Sequence, residues 1–174
     1  MNTETKIIKF EEGITLESGN HLESFELIVE TYGELNKSKS NGVLLCHAFS
    51  GNHHAAGKSE DGSIGWWDQL VGSGKAIDTD KYFVVCCNNL GGCSGSSGPT
   101  SINPKTEKIY GKDFPQVSVL DWVNSQKMLS EKLGINKWHL VIGGSLGGMQ
   151  ALQWSITFPD SVNKAGILAA AAKS

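Results

Sequence analysis

Residues 138–159 constrain the fold more than any other stretch of the chain. Trp138-His139-Leu140-Val141-Ile142 is a short apolar run of strand character that leads directly into Gly143-Gly144-Ser145-Leu146-Gly147. Helix-forming residues follow, from about Ser145 to Phe158, and Pro159 stops them. A G-x-S-x-G pentapeptide between a buried strand and a helix is the setting of a nucleophile elbow. The serine sits on a strained turn, so its neighbours must lack bulk where strand, turn and helix crowd together. The turn also aims the first N–H groups of the helix at a reacting carbonyl oxygen, and Leu146 supplies one such oxyanion donor. A chain rich in Gly and Ser produces this pentapeptide by accident, but few accidental copies would open a helix directly after an apolar strand.

The remaining pattern agrees with a layered α/β arrangement. Phe25 to Tyr32 alternates polar and apolar residues in its first half, which suits a strand near a sheet edge with one solvated face. Val43-Leu44-Leu45-Cys46 and Tyr82 to Cys87 are continuous apolar runs, as expected of strands buried on both faces. Val119, Leu120, Val123, Met128, Leu129 and Leu133 recur at near-helical spacing within 117–133, with Gly134 as a C-terminal stop. Ala165 to Ala169 makes a last strand. His47 to Gly74 reads as an ordered functional loop with one helical turn, and Asn88 to Pro104 as a long Gly, Ser, Asn and Pro loop. Buried strands alternating with helices imply a mostly parallel sheet with helices on both faces.

Composition narrows the function classes. Fifteen Lys+Arg against 18 Asp+Glu give a net charge of -3 with no basic run, which argues against nucleic acid or anionic membrane as partner. The opening residues lack a signal-peptide core and the longest apolar stretch is far short of a membrane span, so a cytoplasmic location is expected. Cys46, Cys86, Cys87 and Cys93 read as reduced core residues, with adjacent Cys86 and Cys87 pointing to opposite faces of a strand. No C-x-x-C pair occurs and His53-His54 has no ligand-spaced partner, so no metal is expected. Glycine, 21 of 174 residues, clusters in Gly91–Gly98 and Gly143–Gly148, where backbone must turn tightly or approach something closely.

In folds that use such an elbow, a second oxyanion donor comes from the loop after an earlier buried strand. Here that loop is His47-Ala48-Phe49-Ser50-Gly51, and the Phe49 N–H is the candidate. His47 itself reads as a structural loop residue more than as the catalytic base, because base and acid follow the nucleophile in chain order in this fold. Leu90 occupies the first glycine position of a dinucleotide fingerprint, and Met149 follows Gly148 where a P-loop needs lysine. Ser94, Ser96 and Ser97 read as turn residues.

Gly143 to Trp154 resembles the nucleophile region of homoserine O-acetyltransferases, within the α/β-hydrolase superfamily. So do Gly65-Trp66-Trp67-Asp68, Gly74 to Asp80, Leu90-Gly91-Gly92-Cys93, Gly98 to Pro104 and Asp113-Phe114-Pro115, in the same order from about Phe25 onward. Phe49-Ser50 departs from the Leu-Thr usual after the His-Ala pair, which keeps a backbone donor but changes the pocket wall. The resemblance implies acyl transfer through a serine ester in methionine biosynthesis. Ser145 attacks acetyl-CoA, a co-substrate and not a bound cofactor; Phe49 and Leu146 hold the oxyanion; and L-homoserine takes the acyl group.

Members of that family run on for roughly as much chain again, with the acid and histidine of the triad, a carboxylate-binding arginine and the lid through which they dimerise. The five histidines here, His21, His47, His53, His54 and His139, all precede Ser145. Residues 1–174 are therefore expected to be the N-terminal part of a single α/β-hydrolase domain, lacking lid and C-terminal triad segment, inactive alone and not itself the dimer. Its last strand is expected to be an open sheet edge. The alternatives are O-succinyl transfer, serine as acceptor, simple ester hydrolysis, or a non-catalytic fragment.

Overall fold

The computed structural model describes residues 2–59 and 61–172. Six strands form the main sheet: β1 (Thr3–Phe10), β2 (Phe25–Tyr32), β3 (Gly42–Cys46), β4 (Phe83–Cys87), β5 (Leu140–Gly144) and β6 (Ala165–Leu168). Their spatial order is β1-β2-β4-β3-β5-β6. The β2 strand is antiparallel to both β1 and β4, whereas β4, β3, β5 and β6 pair in parallel. Five of the six strands thus run one way, in line with the expected mostly parallel sheet.

Strand alternation sorts the core into two layers. Leu44, Cys46, Val85, Cys87 and Val141 point to one face, under α1 (Val119–Leu133) and α2 (Leu146–Thr157), where Val123, Leu129, Ala151 and Trp154 meet them. Val43, Leu45, Val84 and Cys86 point to the other, where Ala55, Ala56, Val71 and Ile77 pack with Trp66 and Trp67. Cys86 and Cys87 do face opposite ways. Cys93 departs from the core expectation and is exposed, because it lies in the glycine-rich loop after β4 and not in a strand.

Both α-helices cover one face among the described residues, and the loop between β3 and β4 covers the other. That loop is ordered by its own hydrogen bonds and makes one helical turn, Leu70 and Val71 N–H both donating to Trp67 O. The α1 helix opens on a capping box: Ser118 Oγ accepts from Asp121 N–H, and the Asp121 carboxylate accepts from Ser118 N–H. Asp121 also receives Glu17 N–H at 2.8 Å, which anchors the N-terminal segment to the helix.

One strand of the N-terminal half is absent from the sequence reading. Thr3–Phe10, largely exposed, is a strand and forms the sheet edge, so Phe25–Tyr32 lies one position inside it. Its two lysines and Glu4 suit an edge that must resist further pairing. Phe10 stacks on Phe25 with ring centroids 4.4 Å apart, and Lys9 pairs with Glu26 at 2.9 Å. At the opposite end β6 pairs only with β5 among the described residues, and Ile167 and Leu168 are exposed there.

Candidate active site

The β3, β4 and β5 strands run parallel, so the residues just beyond them, His47, Asn88 and Ser145, gather at one end of the sheet. Ser145 lies at φ 54° and ψ -122°, a conformation a non-glycine residue adopts at a cost of about 1–3 kcal/mol. Its N–H donates to Leu168 O at 2.9 Å and its carbonyl accepts from Met149 N–H at 3.1 Å, so strand and helix impose the turn from both sides. Ser145 is exposed and its hydroxyl does not cap α2. No side chain among the described residues hydrogen-bonds to it.

The close approach that the pentapeptide glycines were expected to serve is present. A Cβ on Gly147 would stand 1.9 Å from Cys46 O, and one on Gly143 would stand 2.4 Å from the Gly147 backbone. The end of β3 is therefore in contact with the first turn of α2, which brings the His47–Phe49 loop beside the elbow. The N–H of Leu146, at the first helical position, and that of Phe49 both lack a backbone partner among the described residues. Phe49 itself is 89% exposed.

Buried polar groups brace the arrangement. Gln126 on α1 donates to Gln150 on α2 at 2.6 Å and accepts from Trp154 Nε1 at 2.7 Å, while Gln150 Nε2 reaches His47 O at 3.5 Å. Sequence reasoning placed the helices and missed both glutamines; their signal was a polar residue on an otherwise apolar, inward face. Ser96 Oγ donates to Asn88 O and accepts from Ile28 N–H, and Ser97 Oγ accepts from Glu26 N–H, so these serines pin the loop after β4 to β2.

Glu30, a charged residue of β2, is buried. Both of its carboxylate oxygens lie 3.1 Å from His54 Nδ1, because the loop after β3 folds over that end of β2. None of the histidines bonds Ser145: His21 meets Thr15, His139 packs against the Tyr82 ring, and His47 bonds Ala48 O and Asn89 N–H. No group of three or more His, Cys, Asp or Glu that could hold a metal occurs among the described residues, and no helix there is long and apolar enough to cross a membrane.

Burial lowers the pKa of His47, and likewise that of His53, against the opposing pull of Glu30 on the latter. The unfolded chain then binds more protons, so this stability is complete above the ordinary histidine value of about 6.5 and is lost as pH falls below it. Asp61, held by Ser59, and Asp78, held by Lys81, titrate at about 2 and give a second loss only at acid pH, below about 4. Thermal unfolding should therefore show a lower Tm at pH 5.5 than at pH 7.5, and a flat or inverted profile over that interval would count against neutral, buried imidazoles.

Comparison with known proteins supplies the family. Residues 41–173 match the family model described as alpha/beta hydrolase fold. The chain belongs to this family. Among curated relatives, this α/β hydrolase chain is 60% identical over 166 residues to the homoserine O-succinyltransferase of Hahella chejuensis, covering 94% of the chain and 43% of the relative. It is 60% identical over 168 residues to that of Neisseria gonorrhoeae, covering 95% and 44%. Its structure matches the homoserine O-acetyltransferase of Bacillus anthracis with a TM-score of 0.88 and 40% identity, over 95% of this chain and 46% of that one. An esterase, E22 in its L374D form, matches with a TM-score of 0.88 and 42% identity, over 94% and 46%. The chain thus spans less than half the length of each.

Proposed function

We propose that this α/β hydrolase chain carries the nucleophile half of an acyltransferase that moves an acyl group from acyl-CoA to the hydroxyl of L-homoserine. Ser145 is the nucleophile, and the N–H groups of Leu146 and Phe49 are the oxyanion donors. The observation that carries the reading is the strained, exposed Ser145 at the strand-to-helix turn, in a chain 60% identical to homoserine O-succinyltransferases. Ser145 Oγ attacks the thioester carbonyl, its proton passes to a base, and coenzyme A leaves as the thiol. The homoserine hydroxyl then attacks the serine ester and restores Ser145. No described residue is placed to take the proton, so we assign base and acid to the length that the relatives carry beyond this chain. The 174 residues alone are expected to be inactive.

The donor follows the greater identity: succinyl-CoA is favoured over the acetyl-CoA suggested by the first resemblance. The Bacillus anthracis acetyltransferase, at 40%, supports acetyl transfer as the second reading. A chimera joining this chain to the remaining length of the Hahella chejuensis relative tests it. Mass spectrometry after incubation with succinyl-CoA and, in a separate reaction, with acetyl-CoA should find a succinyl ester on Ser145 that homoserine discharges. An acetyl ester alone would select the second reading, and ester hydrolysis without transfer to homoserine would overturn both.

A further inference from the structure

We infer that His47 is a positioning residue: held in the tautomer with hydrogen on Nδ1, it orients the Ala48–Phe49 peptide so that the Phe49 N–H stands as an oxyanion donor. The inference rests on the acyl-transfer reading above and adds to it the residue that sets one of its donors. The Ala48 carbonyl and the Phe49 N–H belong to one planar unit, so whatever fixes the first aims the second. That carbonyl accepts from Gly51 N–H at 2.9 Å, and His47 Nδ1 lies 2.8 Å from it. The other ring nitrogen, Nε2, receives the backbone N–H of Asn89 at 3.1 Å. A nitrogen that receives an N–H presents its lone pair, so the ring hydrogen is on Nδ1 and His47 donates to Ala48 O.

The ring is boxed in. It is 4% exposed, and a Cβ on Gly51 would stand 2.9 Å from the His47 Cβ. His47 thereby links three pieces of the site: the end of β3, the Asn89 backbone beyond β4, and the loop that presents Phe49. Two donors on one carbonyl polarise the peptide and strengthen its free N–H as a donor in turn. The Phe49 side chain, almost wholly exposed, supplies none of this positioning. His47 does so without touching substrate, which distinguishes it from a base.

Two substitutions separate positioning from mere support. In His47→Asn the side-chain amide reaches the place of Nδ1 and keeps the donor to Ala48 O, while the acceptor for Asn89 is lost. In His47→Gln the amide reaches the place of Nε2, keeping the Asn89 bond and losing the donor. In the chimera described above, His47→Gln should lower kcat roughly 10- to 100-fold with KM for acyl-CoA changed less than about twofold, while His47→Asn stays within about fivefold of the parent. Equal kcat losses in the two variants would overturn the inference.

Nitrogen NMR of the 174-residue chain reads the ring directly, and an Nε2–H tautomer would overturn the inference as well. Should the parent chimera transfer no acyl group, the acyl-transfer reading fails on its own. The ring spectrum, with a Phe49 amide signal retained in His47→Asn and displaced in His47→Gln, still decides the orientation.

Discussion

Replacing Ser145 by alanine in the chimera should lower acyl transfer about 10⁵-fold, because no other nucleophile lies on the same turn. The succinyl adduct should vanish with it. Stability should hardly change, since the hydroxyl has no partner among the described residues and alanine suffers the same positive φ as serine. Glycine at the position makes the contrasting variant. It removes both the hydroxyl and the strain, and should raise stability by about 1 kcal/mol while leaving transfer as low as alanine does. Thermal melts of the three proteins, read beside single-turnover assays, test both halves of the argument. Retention of more than about a tenth of the activity in Ser145→Ala would remove Ser145 from the nucleophile role. A Ser145→Gly protein less stable than the alanine variant would show that the turn is not strained.

The pentapeptide was legible because its requirements are local. A strand, a helix and the crowding between them leave their marks within residues 138–159, and the apolar runs of β3 and β4 show as plainly because a strand buried on both faces has no polar positions to spare. Thr3–Phe10 was not legible as a strand. Its hydrophobic signal is thin for a physical reason: an edge strand exposed along most of its length needs charges to stay unpaired.

The burial of Glu30 was not legible for a related reason. Alternation predicts which side of a strand a residue faces, but not whether a loop from 24 residues away will fold over that side and pair it with His54. The same limit applies to helix placement. Period locates α1, and the pentapeptide with the Pro159 stop bounds α2, but only tertiary contacts put both on one face while the Trp66–Trp67 loop fills the other. Gln126 and Gln150 were missed because a buried polar residue is recognisable only by its partner, and each is the other's partner across two helices.

Gly147→Ala should be among the most damaging single-methyl changes at the described glycines. The added Cβ would meet Cys46 O at 1.9 Å and Cys46 C at 2.7 Å, and both are backbone atoms. The end of β3 has no room to yield: it is paired on one side to β4 through Leu45 and Cys86, and on the other to β5 through Cys46 and Gly143. The helix must therefore back away, taking the fully buried Ala151 and Trp154 out of contact with the sheet. Overpacking of this kind costs on the order of 3 kcal/mol, which for a domain of this size lowers Tm by roughly 6–12 °C. The shift also separates Leu146 from Phe49, and an ångström of misplacement between two oxyanion donors should cost acyl transfer about 100-fold. Gly144→Ala supplies the control. Its Cβ would find only Leu168 O, at 3.9 Å, an ordinary contact, so melting and transfer should stay near the parent values. Equal losses in the two variants would mean that glycine at these positions serves chain flexibility and not the contact between Gly147 and the Cys46 carbonyl.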